Sequence, residues 1–226
     1  MKKRIVVLTG AGISAESGIQ TFRDSDGLWE NHNIEDVATP QAFERNPALV
    51  LNFYNHRRQQ VLNAKPNIAH KILVEMESKY DVHIITQNID DLHERAGSKN
   101  VMHLHGEIAL CRTTNPTKPK FYEYNSNLKV GDKGEDGFQL RPHIVWFGED
   151  VPMIQPASTL VATADVFIIV GTSLAVYPAA NLIHSIKYNT PLYVVDKKLP
   201  NLPTLKNLTA IEQSATIGMQ QLMKLL

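Results

Sequence analysis

The sequence has one cysteine, no excess of either charge and no long hydrophobic run. A single thiol, that of Cys111, excludes a disulfide framework. Lysine plus arginine and aspartate plus glutamate both total 23, so no net field draws the chain to nucleic acid or to an anionic membrane. No stretch approaches the roughly 20 apolar residues that a membrane-spanning helix needs. We expect a soluble cytoplasmic protein that binds neither nucleic acid nor membranes.

The basic residues at 1–4 lead into a short apolar run at 5–8, which superficially resembles a secretory signal. The run is too short for that role and meets Gly10 and Gly12 at once. It therefore predicts a buried strand that enters a turn.

Four short runs rich in isoleucine and valine indicate strands buried on both faces, at 5–8, 82–85, 166–170 and 192–195. Between them, apolar residues three or four apart indicate helices, among them Leu49, Phe53 and Leu62 in one and Ile68, Ile72, Leu73 and Met76 in the next. Strands that alternate with helices predict the α/β class, with a Rossmann-like, doubly wound parallel sheet.

Two regions lack this alternation. Residues 21–64 indicate a helical insertion, and residues 111–141, with their glycines and prolines, indicate a small irregular module beside the sheet. No linker or repeat divides the chain, whose 226 residues suit one domain under the rule of about 100 to 200 residues each. We expect a single catalytic domain, 1–226, with a core at about 1–20, 65–107 and 144–226 and a small module at about 21–64 and 108–143.

Small residues follow the first predicted strand, where residues 9–18 read Thr-Gly-Ala-Gly-Ile-Ser-Ala-Glu-Ser-Gly. Gly10, Ala11, Gly12 and Ser14 stand where the backbone could approach a ligand and a helix could begin. Free N–H groups there would suit a pyrophosphate. A purely structural turn uses the same residues, so the downstream motifs must decide.

Polar side chains follow the second predicted strand, in Gln87-Asn88-Ile89-Asp90. Open α/β sheets bind ligands at this end of their strands. Amides there can hold ribose hydroxyls, and a carboxylate can hold a carboxamide. A loop with satisfied local hydrogen bonds is the alternative.

Two histidines, His103 and His105, are two residues apart, and strand alternation would send them to the same face. Gly106 leaves room beside the second. A pair at this spacing could ligate a metal, but no convincing third ligand accompanies it, and a single histidine is more often structural.

Tyr54 and Arg57 are three residues apart and would share a helix face. A hydroxyl and a guanidinium together can bind a terminal carboxylate through charge-assisted hydrogen bonds, which an acetyl group cannot use. The alternative is a solvated arginine beside a packing tyrosine.

Taken in order, the motifs resemble the sirtuin family over nearly the whole chain. They are Gly-Ala-Gly-Ile-Ser-Ala-Glu-Ser-Gly-Ile at 10–19, Thr-Phe-Arg at 21–23, Thr-Gln-Asn-Ile-Asp at 86–90, His-Gly at 105–106, Val-Trp-Phe-Gly-Glu at 145–149 and Gly-Thr-Ser-Leu-Ala-Val-Tyr-Pro at 171–178. The resemblance implies an NAD-dependent deacylase of acylated-lysine proteins, which consumes NAD and releases nicotinamide and O-acyl-ADP-ribose.

The resemblance also implies residue roles. His105 would be the catalytic general base, as imidazole can accept a proton near neutral pH. The cofactor would be bound by the residues already singled out at 10–14 and 87–90 and by Phe22, Arg23, Gly171, Thr172, Ser173, Asp196 and Ala215. Phe22 would shield the reactive ribose, and Asp196 stands where sirtuins commonly carry asparagine. The acylated peptide would contact Val145, Phe147 and Gly148.

The spacing of Tyr54 and Arg57 is similar to that of sirtuins that prefer succinyl, malonyl or glutaryl lysine, so we expect this preference alongside removal of acetyl groups. An ADP-ribosyltransferase or NAD hydrolase is the nearer alternative. A nonenzymatic NAD sensor is the more distant one.

Most sirtuins hold a structural zinc through two Cys-x-x-Cys pairs, of which only Cys111 is present here. We therefore expect no structural zinc. Phe121, Tyr122, Tyr124 and Phe138 are the expected packing residues of the small module, unless they are partly exposed for partner binding.

Overall fold

The structure, a computed structural model, describes residues 2–21, 28–29, 32–124, 126–200 and 207–226. In chain order the strands are β1 (Arg4–Thr9), β2 (Leu28–Trp29), β3 (His32–Asn33), β4 (Asp81–Thr86), β5 (Val101–His103), β6 (Gly106–Thr113), β7 (Phe121–Glu123), β8 (Leu140–Ile144), β9 (Val166–Val170), β10 (Leu192–Asp196) and β11 (Leu208–Glu212). The α-helices are α1 (Ile34–Val37), α2 (Pro40–Arg45), α3 (Pro47–Asn63), α4 (Ile68–Met76), α5 (Leu92–Ala96), α6 (Ile154–Val161) and α7 (Ala215–Leu222).

The main sheet has six parallel strands in the order β11-β10-β9-β1-β4-β5. The four strands predicted from isoleucine and valine runs are β1, β4, β9 and β10, and the predicted doubly wound parallel sheet is confirmed. Of the two edge strands, the sequence analysis anticipated β5 only through the alternation expected at 103–105, and it missed β11. Their residues are only partly buried, so neither strand has the continuous apolar run that marks the inner ones.

Helices cover both faces of this sheet. Ile5 and Val7 of β1 pack in one cluster with residues of α4 and α7, whereas Val6 and Leu8 pack in a second with residues of α6 and of the 3₁₀ turn Ala179–Ser185. Successive side chains of a strand point to opposite faces of the sheet, so β1 buries apolar side chains on both faces. The sheet thus forms a rigid base for the loops at its carboxyl edge.

The helical region predicted at 21–64 contains α1, α2 and α3. It also contains the two-residue antiparallel pair β2-β3, which the prediction did not include. The Asn46 side chain accepts from Leu49 N at 3.1 Å and caps α3. The predicted helices α3 and α4 are present, but Leu62 and Ile68, expected on their buried faces, are 53% and 47% exposed.

The small module is more regular than predicted, since β7, β6 and β8 form an antiparallel sheet. A register shift between Glu107 and Cys111 interrupts the ladder. Such an irregularity breaks the two-residue alternation by which a strand is recognised in sequence.

The packing of this module uses α3. Cys111 is buried with Leu51 of α3, Tyr124 and Leu128. The amide of Asn55, also on α3, donates to Leu128 O and accepts from Leu128 N, both at 2.9 Å.

Two of the four aromatic residues expected to pack the module do so. Tyr124 is buried, with the Arg58 guanidinium 4.8 Å from its ring centroid, and Tyr122 packs against the same cluster. Phe121 and Phe138 are 54% and 42% exposed, so the packing expectation was wrong for them.

The structural zinc of the family does not fit the residues present. The only cysteine is enclosed by apolar side chains, and no group of three histidine, cysteine, aspartate or glutamate side chains among the described residues is placed to hold a metal. Within the same residues, no helix has the length and apolar character to cross a membrane.

Candidate active site

A cleft of about 390 Å³ lies at the carboxyl edge of the main sheet, between that sheet and the small module. Its walls come from the loops after β1, β4, β9 and β10, from α3 and from the segment after β8. This is the edge at which open parallel sheets bind ligands.

Glycine allows the loops after β1 and β9 to touch. Gly10 N donates to Val170 O at 3.0 Å, and Gly12 N donates to Gly171 O at 2.8 Å. A Cβ on Gly10 would lie 2.7 Å from Thr172 Cβ, and one on Gly12 would lie 2.6 Å from Gly171 Cα. No side chain fits at either position, so the floor of the cleft is bare backbone. Two 3₁₀ turns follow the loop, where the sequence suggested the start of a helix.

Ser14 lies behind this floor and connects it to the loop after β4. Its hydroxyl accepts from Asn88 Nδ2 at 3.1 Å and donates to Asp90 Oδ2 at 3.0 Å. Burial raises the pKa of Asp90, while hydrogen bonds from Leu92 N and Ser14 oppose that rise. The serine expected to contact the cofactor is fully buried in this structure and positions two residues that line the cleft.

His105 lies in the bend between β5 and β6 and faces the cleft. The expected strand alternation was wrong here, because β5 ends at His103. The Nδ1 atom is 3.0 Å from Gln87 O. Since a carbonyl oxygen only accepts, Nδ1 carries the proton, and a neutral ring keeps its lone pair on Nε2. Burial lowers the pKa of His105, and the hydrogen bond to Gln87 O opposes this with a smaller effect. The lowered pKa favours the neutral, basic form of the ring.

The far end of the cleft is polar. Gln87 Nε2 donates to Thr172 Oγ1 at 3.0 Å, which joins the loops after β4 and β9. Asp196 is buried at the end of β10, and its Oδ1 accepts from Lys198 N at 3.0 Å. Lys197 and Lys198 also line the cleft. The sequence analysis missed both lysines, although their position directly after a predicted strand was a usable signal.

Tyr54 and Arg57 project from α3 into the cleft. Tyr54 is fully buried and Arg57 is 5% exposed, so Arg57 is not the solvated arginine of the alternative interpretation. Arg57 Nη1 donates to Gln60 Oε1 at 3.1 Å. Burial raises the pKa of the Tyr54 phenol, with small opposing effects of neighbouring groups led by Trp146, so the hydroxyl stays a donor at neutral pH.

The segment after β8 forms the opposite wall and is held by Glu149. This carboxylate accepts from Arg141 at 2.7 and 3.0 Å, from Arg112 at 3.1 Å and from Trp146 N at 2.8 Å. The Arg141 guanidinium lies 3.2 Å from the Trp146 ring centroid, and that ring in turn lies 6.2 Å from the ring of Tyr54. Trp146, absent from the predicted site residues, is therefore a wall of the pocket around Tyr54.

Most predicted site residues come together in the cleft. Those that line it are Gly10, Ala11, Gly12, Tyr54, Arg57, Gln87, Asn88, Ile89, Asp90, His105, Val145, Phe147, Gly148, Gly171, Thr172, Ser173, Asp196 and Ala215. The predicted residues Phe22 and Arg23 lie outside the described residues.

Known proteins resemble this chain closely. The Sir2 family model matches residues 10–178. An NAD-dependent protein deacylase of Bacteroides thetaiotaomicron is 49% identical over 99% of this chain and 98% of its own length. One from Helicobacter pylori is 51% identical over 98% of this chain and 96% of its own.

Solved structures agree with the sequence matches. A crystal structure of a Sir2 homolog–NAD complex superimposes with a TM-score of 0.87 and 40% identity, covering 99% of this chain and 89% of that one. A Sir2 complex with a deacetylated p53 peptide and 3′-O-acetyl ADP ribose has a TM-score of 0.82 and 31% identity, covering 99% and 93%.

Proposed function

This chain belongs to the Sir2 family and is an NAD-dependent protein deacylase, and we propose that it prefers lysines that carry succinyl, malonyl or glutaryl groups. The observation that carries this proposal is the buried Arg57 guanidinium beside the Tyr54 hydroxyl in the cleft. A terminal carboxylate supplies the negative charge that such a site favours, whereas an acetyl methyl group offers it nothing to bind. Acetyl lysine would still fit as a smaller, weaker substrate.

NAD is the co-substrate, and its ribose would accept the acyl group once the bond to nicotinamide has broken. We infer that Gly10, Ala11 and Gly12 lie against its phosphates, because at Gly10 and Gly12 a Cβ would collide with the loop after β9 and only backbone fits there. Gly171, Thr172 and Ser173 would complete this cradle. Asp196 would accept from hydroxyls of the adenine-side ribose beside the small residue Ala215.

The loop after β4 would bind the reacting end. Asn88 and Asp90 are tied together through Ser14, which fixes an amide and a carboxyl group at the depth of the cleft. An amide and a carboxyl group match the hydrogen-bonding groups of a carboxamide. Gln87 would contact the adjoining ribose, and Ile89 supplies apolar contact.

His105 would remove a proton from a ribose hydroxyl. Its Nδ1 is held by Gln87 O, so Nε2 is the basic atom available to the cleft.

The acylated peptide would lie as an extended strand between the segment at 145–148 and the loop at 171–177, both of which line the cleft. Backbone pairing of this kind reads little side-chain sequence. Proteins with acylated lysines in exposed segments are therefore the proposed partners, and we place the activity in the cytoplasm.

The deciding experiment compares matched acetyl and succinyl peptides at subsaturating concentration with saturating NAD. Products are separated by chromatography, and O-acyl-ADP-ribose is counted against free lysine peptide. The proposal expects higher kcat/KM on the succinyl peptide and equal amounts of the two products. A higher kcat/KM on the acetyl peptide would refute the acidic-acyl preference.

A further inference from the structure

Three consecutive backbone carbonyls in the cofactor loop have hydrogen-bond donors beyond the end of β4. His105 Nδ1 donates to Gln87 O at 3.0 Å, and His103 Nδ1 donates to Asn88 O at 3.0 Å. Ile108 N donates to Ile89 O at 2.8 Å. Two imidazoles, one from the last residue of β5 and one from the bend that follows it, thus continue the pattern of backbone pairing beyond the end of β4.

The two histidines differ in their second ring nitrogen. The Nε2 of His103 lies 2.9 Å from Oε1 of Glu94 on α5. Both partners of His103 are acceptors, so making both bonds requires a proton on each nitrogen, which is the imidazolium form. The His103 side chain is 9% exposed and the Glu94 side chain 40%. This ring is therefore a buried cation that reaches from a helix to the loop.

The loop that it reaches carries the residues for the reacting end of NAD. Asn88 Nδ2 donates to Ser14 Oγ, and Ser14 donates to Asp90. A shift of the Asn88 backbone carbonyl would rotate the peptide plane that contains it and would move the Asn88 side-chain amide away from the Ser14 hydroxyl.

We propose that His103 is a positioning residue for NAD binding, in which Glu94 and the Asn88 carbonyl hold the charged ring and the ring fixes the Asn88 amide and the Asp90 carboxyl group in the cleft. His103 is not among the residues that line the cleft, so it acts through Asn88. The inference rests on NAD binding in this cleft and not on the acidic-acyl preference.

The surroundings favour the charged ring. Burial alone would lower the pKa of His103, but the hydrogen bond and charge of Glu94, with Asn88 O and Glu107, raise it. The other titratable groups that interact with this ring are Asp90, His93 and His143. The bridge should therefore be complete below the ordinary histidine pKa of 6.5 and be lost as pH rises through the raised pKa, because a neutral imidazole has only one N–H. The base His105 titrates on the opposite, acidic side.

The test measures NAD affinity by calorimetry from pH 6 to 9.5 in the full chain, without acylated peptide, for wild type, His103→Gln and Glu94→Gln. Glu75→Gln, which removes an exposed carboxylate on α4, is the matched control. We expect His103→Gln to weaken NAD binding about tenfold, the scale of one lost charge-assisted hydrogen bond. We expect Glu94→Gln to shift the alkaline loss of affinity to lower pH, with a matching fall in the His103 pKa read by NMR of the ring nitrogens.

Affinities within twofold of wild type for both variants at every pH would overturn the proposal. So would a lower melting temperature with unchanged affinity, which would make the pair a structural one. A wild-type protein that did not bind NAD would instead remove the cofactor site itself. The succinyl-to-acetyl ratio of the variants should stay at the wild-type value, so a wrong acyl preference would leave this test intact.

Discussion

Removal of the Arg57 guanidinium should remove acidic-acyl selectivity while sparing deacetylation. Arg57→Met keeps an unbranched side chain and its packing but deletes the charge. The wild-type side chain is 5% exposed, so a bound carboxylate would pair with it largely out of water. Truncating one partner of such a pair costs about 2–5 kcal/mol, and each 1.4 kcal/mol is about tenfold. We expect kcat/KM for the succinyl peptide to fall roughly 30-fold to several thousand-fold.

The assay is steady-state kinetics on succinyl and acetyl forms of one peptide, at saturating NAD. The acetyl kcat/KM should stay within about threefold of wild type, because no lost hydrogen bond involves that group. Arg58→Met is the control, since the neighbouring arginine stacks on Tyr124 and not on the cleft. It should lower the melting temperature and leave the succinyl-to-acetyl ratio unchanged. Equal losses on both peptides for Arg57→Met would refute the assigned contact.

Four further outcomes are expected. The acid limb of the kcat/KM profile should have its midpoint below the ordinary histidine value of 6.5, because burial lowers the pKa of His105 and the base works only when neutral; a midpoint above 6.5 would contradict this role. Burial lowers the pKa of His70 from 6.5 to about 4. Below pH 6.5 the unfolded chain therefore binds more protons than the folded one, and the free energy of unfolding decreases as the pH is lowered. Urea unfolding should lose about 2 kcal/mol more between pH 7.5 and 5 in wild type than in His70→Gln. Asn55→Ala should cost about 2–3 kcal/mol of stability by leaving both polar groups of Leu128 without their partner, whereas a chelator should leave the wild-type melting temperature unchanged; a chelator-sensitive melting temperature would show a metal in the module.

The parts of this fold that depend on residues close together in the sequence could be predicted. The inner strands are recognisable in the sequence by their continuous apolar runs. Tyr54 and Arg57 lie on one face because both belong to the same helix, three residues apart. The edge strand β11 has one buried residue in five positions and gives no such signal. Pairing within the small module depends on a register shift that sequence periodicity does not reveal.

Contacts between distant segments were also beyond sequence reasoning. The Glu149 carboxylate contacts Arg112 and Arg141 only after β6 and β8 have paired. The contact between the Arg141 guanidinium and the Trp146 ring follows from the same pairing. His103 was noticed for its spacing from His105. Its bonds to Glu94 and Asn88 depend on where β5 ends and on the approach of α5.

Helix α3 faces two neighbours, and this has an evolutionary consequence. Leu51, Asn55 and Arg58 fasten the module, while Tyr54 and Arg57 serve the cleft from the same few turns. A substitution in the module that tilts the whole helix, unlike the loss of the single Arg58 contact, would alter acyl choice from a residue that never meets the substrate. Drift in the module and drift in substrate preference would then be inherited together, and libraries built to change specificity should randomise both.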